Sequence, residues 1–253
     1  NYNLNTLDKI KNDGLAPTIN SIKSKLDEPI TLGYSSMGEV IFAGEEVTEF
    51  KVGDRVISNG PHSEIVSVPS NLCAHVPDEV SDEEASFTVI SAVGLQSLRL
   101  AEPTLGETFL VSGLGLIGLI TCQLLKANGC NVIAIDTDQS KQEIADSLDI
   151  KFHAIKSEES TIEWCINNTN GIGLDGVIIA ASTKSSVPIQ IAAKVSRKKG
   201  RIILLGVTGL ELRRDLFYEK ELTFKVSCSY GPGRYDKNYE DKCYDYPLPY
   251  VRW

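Results

Sequence analysis

The sequence predicts an α/β protein in which a doubly wound parallel sheet follows a smaller, β-rich unit. Three observations predict it. Between residues 107 and 206, short aliphatic and β-branched runs alternate with helical segments, the pattern of parallel strands covered on both faces. Ahead of that region, residues 30–76 carry short apolar runs broken by Gly38, Gly44, Gly53, Gly60 and Pro69, as in a small, mostly antiparallel unit. An abrupt change of pattern at Gly106 puts the boundary between the two near 100–106.

Each element has a local reason. Residues 1–29 read as two short amphipathic helices, one carried by Leu4, Leu7 and Ile10 and ended by Gly14 and Pro17, the other by Ile19, Ile22 and Leu26 and ended by Pro29. The runs GEVIFAG, KVGDRVIS and EIVSVP are the expected strands of the β unit. Over 81–101 the period becomes helical: Ser81 caps, Asp82, Glu83 and Glu84 suit the first turn, and Phe87, Ile90, Val93, Leu95 and Leu98 supply the apolar positions. Then ETFLVS (107–112) is a buried strand, GLGLIGLITCQLLKANG (113–129) a Gly-rich turn and apolar helix, and NVIAID (131–136) a second strand. KQEIADSLDI, SEESTIEWCINNT and SSVPIQIAAKVSRKKG read as helices, and KFHAI, LDGVIIAAS (174–182), RIILLG (201–206) and ELTFKVS as strands. The chain thus divides into 1–100 (β-rich unit, first helices and linking helix), 101–230 (parallel-sheet domain) and 231–253, an aromatic, loop-like tail that returns to the first unit or leads to a downstream module.

Bulk properties exclude several classes of function. The charge of −9, from 25 basic and 34 acidic residues, argues against a nucleic-acid or anionic-membrane surface. No apolar run approaches the roughly 20 residues of a bilayer span, and the first residues do not form a signal peptide. The expected setting is cytoplasmic. The one dense basic cluster, Arg197, Lys198, Lys199 and Arg201 around Gly200, reads as a helix end, where cations suit the dipole. None of the six cysteines has CxxC spacing, so no structural zinc pattern is present; Cys122 and Cys130 read as small hydrophobes, and reduced thiols are expected.

Gly113, Gly115 and Gly118 form GxGxxG between a predicted strand and a predicted helix. The first glycine permits a tight turn, the second lets backbone approach a pyrophosphate, and the third lets helix and strand pack closely. The N–H groups at the head of the helix, at Leu116, Ile117 and Gly118, then face the phosphates. Asp136 closes the second strand 18 residues past Gly118, where a carboxylate can accept both ribose hydroxyls of the adenosine half. The same charge repels a 2′-phosphate and no Arg follows immediately, so the expected cofactor is NAD. The motif and its context define a Rossmann domain. Ala180, Ala181, Gly206 and Val207 end two further strands and should line the same crevice. Glycines kept for architecture alone are the competing explanation.

The run GYSSMGEVIFAGEEVTEFKVGDRV (33–56), followed by GETFLVSGLGLIG, resembles the medium-chain dehydrogenase/reductase family, the alcohol dehydrogenase relatives. The resemblance covers roughly residues 30–230 and implies a GroES-like catalytic domain, here partial, packed on the Rossmann domain with an active site in the cleft. In the zinc members the first motif opens Gly-His-Glu. This chain has Gly33-Tyr34-Ser35 there, Thr88-Val89-Ile90 where the linking helix would bring a cysteine ligand, and only ISNGPHSEIVSVP where the four-cysteine lobe would lie. No metal is therefore expected. The tail SYGPGRYDKNYEDKCYDYPLPYVRW looks like that of bacterial two-domain oxidoreductases related to threonine dehydrogenase, which carry a glucose-fructose-oxidoreductase-like module downstream. That likeness implies a sugar-like substrate, and the family's strands upstream of Asn1 and last helices beyond Trp253 lead to the expectation that the chain is a fragment of a longer protein.

Without zinc, a side chain must handle the alcohol proton. Tyr34, at the position of the lost histidine, is one candidate, with Ser35 and Ser36 beside it; a phenol would serve if its pKa fell from about 10. His62, in the short link between strands, is the other, since imidazole titrates near neutrality. A packed tyrosine and a solvated loop histidine are the plainer alternatives. His75 and His153 read as structural. The first functional expectation is a zinc-independent NAD(H) oxidoreductase acting on an alcohol or carbonyl of a small polar, sugar-like substrate. Two others stay open: a quinone-oxidoreductase-like NAD(P)H reductase, and a non-catalytic dinucleotide-binding module. The edge near 201–227 is the expected contact of a homodimer.

Overall fold

In the computed structural model, residues 32–246 are described. The two helices expected over 1–29, and residues 247–253 of the tail, lie outside them. The β unit is a three-stranded antiparallel sheet, β1 (Ser36–Glu39), β2 (Arg55–Ser58) and β3 (Cys73–His75), in the order β1-β2-β3. β1 is shorter and earlier than the GEVIFAG run suggests, and EIVSVP forms no strand. The third strand is Cys73–His75 instead, entered through a 3-10 turn at Ser70–Leu72.

The linking region is two helices. α1 (Asp82–Ala85) begins with a complete capping box: the Glu84 N–H donates to Ser81 Oγ, and the Ser81 N–H donates to the Glu84 carboxylate. α2 (Thr88–Ala101) follows and ends at Glu102, which is left-handed at φ 51°. Gly94 lets α2 lie close against the first helix of the Rossmann domain, α3 (Leu116–Ala127): a Cβ there would sit 3.1 Å from Thr121 Oγ1 and 3.3 Å from Leu124 Cδ1.

The second unit is a six-stranded parallel sheet built from β4 (Thr108–Ser112), β5 (Asn131–Asp136), β6 (Lys151–Ala154), β7 (Leu174–Ile179), β8 (Ser196–Leu204) and β9 (Thr223–Val226). Their order, β6-β5-β4-β7-β8-β9, reverses between β4 and β7, and the crevice at such a reversal is where ligands settle. Four more helices connect these strands together with α3: α4 (Lys141–Ser147), α5 (Glu158–Asn167), α6 (Val187–Val195) and α7 (Arg214–Lys220). β4 explains the double winding, because Phe109, Leu110 and Val111 are all fully buried. Phe109 and Val111 pack with Leu98, Leu114, Cys122 and Leu125 on one face, while Leu110 packs with Val177, Ile179, Ile189 and Ala192 on the other. Gly176 makes room for Phe109, whose ring edge would lie 2.1 Å from a Cβ there. Cys122 behaves as a core residue, and burial pushes its thiol up to about 12.

The basic cluster is not a helix end. α6 stops at Val195, and Ser196 already begins β8 with extended backbone. Arg197 Nε donates to Asp175 Oδ1 at 2.6 Å, and Arg201 pairs with Glu107 and donates to the carbonyls of Ala101 and Glu102 at 2.9 and 2.8 Å. These cations answer acids at the amino ends of the strands, where a local reading of the sequence has no view of them. The true closure of α6 is Lys220, on the unforeseen α7, whose ammonium donates to the carbonyls of Ala193, Lys194 and Ser196 at 3.0, 2.7 and 2.8 Å. Lys220→Met is expected to cost about 1–2 kcal/mol in urea unfolding, since charged donors to helix-end carbonyls carry that much; a loss within error of zero would contradict this role.

The tail holds a short helix, α8 (Lys237–Lys242), where a loop was expected. Glu240 accepts from Tyr230 Oη at 2.6 Å and pairs with Arg234. Asn71 Nδ2 donates to the Tyr239 carbonyl at 2.7 Å, which fastens this segment to the β unit.

Candidate functional site

The crevice is built by close backbone approaches that only small residues permit. Gly113, at φ 102°, turns the chain out of β4, and a Cβ on it would lie 2.7 Å from the Ala181 nitrogen. A Cβ on Gly118 would lie 1.9 Å from the Gly113 carbonyl oxygen, and one on Gly206 2.2 Å from that of Ala181. Gly115 is different: a Cβ there meets nothing within 4 Å. Its side faces open space at the head of α3, with Gly115 itself as N-cap and Leu116 exposed beside it. The first bond of that helix runs from Leu119 N–H to the Gly115 carbonyl, so the N–H groups of Leu116, Ile117 and Gly118 have no partner within the helix.

Asp136 sits at the end of β5 beside this turn. One carboxylate oxygen accepts from the Leu114 N–H at 2.6 Å, the other from the Asp138 N–H at 2.9 Å. The strand ends close around it: Ala180 N–H donates to the Ser112 carbonyl at 2.8 Å, Gly206 N–H to that of Ile179 at 2.7 Å, and Val207 N–H to that of Ala181 at 3.1 Å. Val207 is 74% exposed and bridges to Ser182. The ten residues expected at a dinucleotide thus lie at the carboxyl ends of β4, β5, β7 and β8 and at the head of α3. A cradle that a Cβ would fill, unpaired N–H donors and an acid at the strand end fit the diphosphate and ribose of such a cofactor. The Leu114 N–H and the pair Asp138 and Lys141 were not foreseen; the DTDQSK run after β5 is their only trace in the sequence.

Tyr34 and His62 form a second group. Gly33, at φ 77°, carries the chain under the His62 ring, which would lie 2.3 Å from a Cβ at that glycine. The His62 N–H donates to the Leu32 carbonyl at 2.6 Å. Tyr34 follows with 51% of its surface exposed, and Ser35 Oγ donates to the Ser86 carbonyl at 2.5 Å. Through Ser86 this loop is anchored between α1 and α2. The other two histidines have packed partners: His75 Nε2 meets the Glu49 carbonyl at 3.0 Å, and His153 stacks on Trp164 at 5.1 Å with its pKa lowered by burial and by Lys156. Among the described residues, no three His, Cys, Asp or Glu side chains come together as a metal cage. Tyr34 and the stretch Thr88-Val89-Ile90 offer no histidine or cysteine to a zinc ion.

Comparison with known proteins matches two family models to the chain. Residues 10–81 match the alcohol dehydrogenase GroES-like domain and residues 117–242 the zinc-binding dehydrogenase family. A probable D-xylulose reductase A of Neosartorya fischeri is 27% identical over 250 residues, covering 82% of this chain and 68% of that protein. The (R,R)-butanediol dehydrogenase of Bacillus subtilis is 28% identical over 234 residues, covering 80% and 66%. The crystal structure of the 2R,3R-butanediol dehydrogenase from Bacillus subtilis superposes with a TM-score of 0.71 at 25% identity, covering 80% of this chain and 66% of that one. The chain spans about two thirds of the length of these relatives. The paired domain matches, the strand order and the glycine turn agree: the chain belongs to the zinc-type alcohol dehydrogenase-like medium-chain dehydrogenase/reductase superfamily of oxidoreductases.

Proposed function

We propose that the protein is a zinc-independent, NAD(H)-dependent oxidoreductase that exchanges hydride with an alcohol or carbonyl carbon of a small polyhydroxylated substrate. The observation that carries this reading is the opening at Gly115, with unpaired N–H groups behind it and the Asp136 carboxylate alongside. The Leu116 and Ile117 N–H groups would hold the diphosphate, and Asp136 would accept the two ribose hydroxyls, giving up its Leu114 bond and keeping the Asp138 N–H on the other oxygen. Ala180, Ala181 and Gly206 leave backbone-lined space for the nicotinamide half. When bound, the nicotinamide supplies the hydride exchange. On the substrate side, the Tyr34 phenol would donate its proton to the carbonyl oxygen as the carbon is reduced, and in the reverse direction its phenolate would take the alcohol proton. His62, stacked over Gly33, would pass that proton between the phenol and solvent. Relatives named as xylulose reductase, sorbitol dehydrogenase and butanediol dehydrogenase support a polyol or diol as substrate. β9 closes one edge of the sheet, and pairing of two copies along it is part of the proposal.

The test is turnover. With NAD and a panel of polyols, diols and sugars, absorbance at the NADH band should rise in the presence of a strong zinc chelator. Tyr34→Phe should lower kcat by about a hundredfold, with NADH affinity changed less than about twofold. Tight NADH binding without turnover would point to a dinucleotide-binding module instead, and loss of turnover on chelation would contradict zinc independence.

A further inference from the structure

The acid that ends β5 is followed by a second acid and then by a lysine: Asp136, Thr137, Asp138, Gln139, Ser140, Lys141. A cation this near a ribose-binding carboxylate could compensate the charge of a 2′-phosphate, which would weaken the discrimination that Asp136 provides. The geometry takes that cation out of use. The Asp138 N–H donates to Asp136 Oδ1 at 2.9 Å, so the second acid is fastened directly to the first. The Ser140 N–H donates to Asp138 Oδ1 at 2.9 Å, which turns the other oxygen, Oδ2, toward Lys141, whose Nζ lies 4.0 Å away. We propose that Asp138 is a specificity-determining residue: it holds the Lys141 ammonium as its own partner and adds a second negative charge, so that neither side of the loop can accept a 2′-phosphate. The inference rests on the dinucleotide reading of the crevice.

Two further observations support the arrangement. The bonds from Ser140 hold the Asp138 carboxyl below its usual range, so the group is ionised wherever the cofactor would bind. Both side chains reach solvent, at 52% for Asp138 and 35% for Lys141. An exposed pair of this kind contributes little to folding, and its loss leaves the scaffold intact while freeing the ammonium to swing on its four-carbon stem.

The experiment compares the unaltered chain, Asp138→Asn, Lys141→Gln and the double variant, by titration with NADH, NADPH, 5′-AMP and adenosine 2′,5′-bisphosphate, read by fluorescence or calorimetry. Asp138→Asn is expected to tighten NADPH and the bisphosphate by about fivefold relative to NADH and 5′-AMP. Lys141→Gln alone should change that ratio by less than about twofold, and the double variant should keep only the smaller part of the gain, that from the lost negative charge. An unchanged ratio in Asp138→Asn, or a gain undiminished by removal of Lys141, would overturn the inference while leaving the dinucleotide site in place. If the unaltered chain bound none of the four probes, the dinucleotide reading would fail first and take this inference with it.

Discussion

Gly115→Val is expected to weaken NADH binding by about a hundredfold while costing the fold no more than about 1 kcal/mol. The two effects separate because of what surrounds the missing Cβ. Backbone at Gly115 has φ −69°, an ordinary value for any residue, and the added side chain meets no protein atom within 4 Å. The folding cost is therefore only that of a poor helix N-cap. The isopropyl group would occupy the space in front of the Leu116 and Ile117 N–H groups, and losing two charge-assisted bonds to a diphosphate is worth about 3 kcal/mol. Gly118, three residues on, should behave in the opposite way. A Cβ there would lie 1.9 Å from the Gly113 carbonyl oxygen, so β4 and α3 must part, at a cost of at least about 3 kcal/mol. Thermal unfolding and NADH titration on the two variants check both halves. Comparable destabilisation by the two substitutions would mean that the glycines serve architecture alone.

Glu107→Ala is expected to destabilise the protein by about 2–3 kcal/mol without changing NADH affinity. Glu107 side-chain oxygens serve Arg201, Arg197 (3.7 Å) and the Thr104 N–H (2.8 Å), at the amino ends of the strands and away from the crevice. Arg201 is only 19% exposed and also closes α2 through the carbonyls of Ala101 and Glu102, with its guanidinium over the Phe109 ring. Removing the acid leaves two partly covered guanidinium groups with less counter-charge, and a broken buried pair typically costs about 3–5 kcal/mol. Partial exposure screens some of that, which lowers the figure. Equilibrium urea unfolding measures it; a cost under about 0.5 kcal/mol would place these ions among ordinary surface pairs.

What the sequence makes legible follows the range over which each element is determined. β4, α3 and β5 lie within a residue or two of their expected bounds at most ends, because a continuous apolar run, a glycine turn and an apolar helix are all local features. Six of the ten expected cofactor residues, Gly113, Gly115, Leu116, Ile117, Gly118 and Asp136, follow from the same motif, and the other four from the ends of two further strands. β8 begins at Ser196, ahead of the RIILLG run that the sequence predicts because SRKKG is hydrophilic; its hydrophilic start is held by Glu107 and Asp175, roughly 90 and 20 residues earlier in the chain, and no local window contains both sides of such a pair. EIVSVP has the composition of a strand but no neighbour to pair with, whereas Cys73–His75, three residues long, is a strand because β2 lies beside it. α7 is barely two turns, and Lys220 shows its purpose only once α6 is in place. At the second group, Tyr34 could be named from the family pattern and His62 from its imidazole, but the contact between the His62 ring and Gly33 depends on a left-handed glycine that no periodicity signals.

The central claim is that the turn at Gly115 and the carboxylate of Asp136 together receive a dinucleotide. A crystal of the protein soaked with NADH tests it most directly. Difference density is predicted for a diphosphate beside Gly115, within hydrogen-bond distance of the Leu116 and Ile117 N–H groups, and for an adenosine ribose whose two hydroxyls meet Asp136. Density for the nucleotide elsewhere, or no density at saturating NADH, would contradict the account.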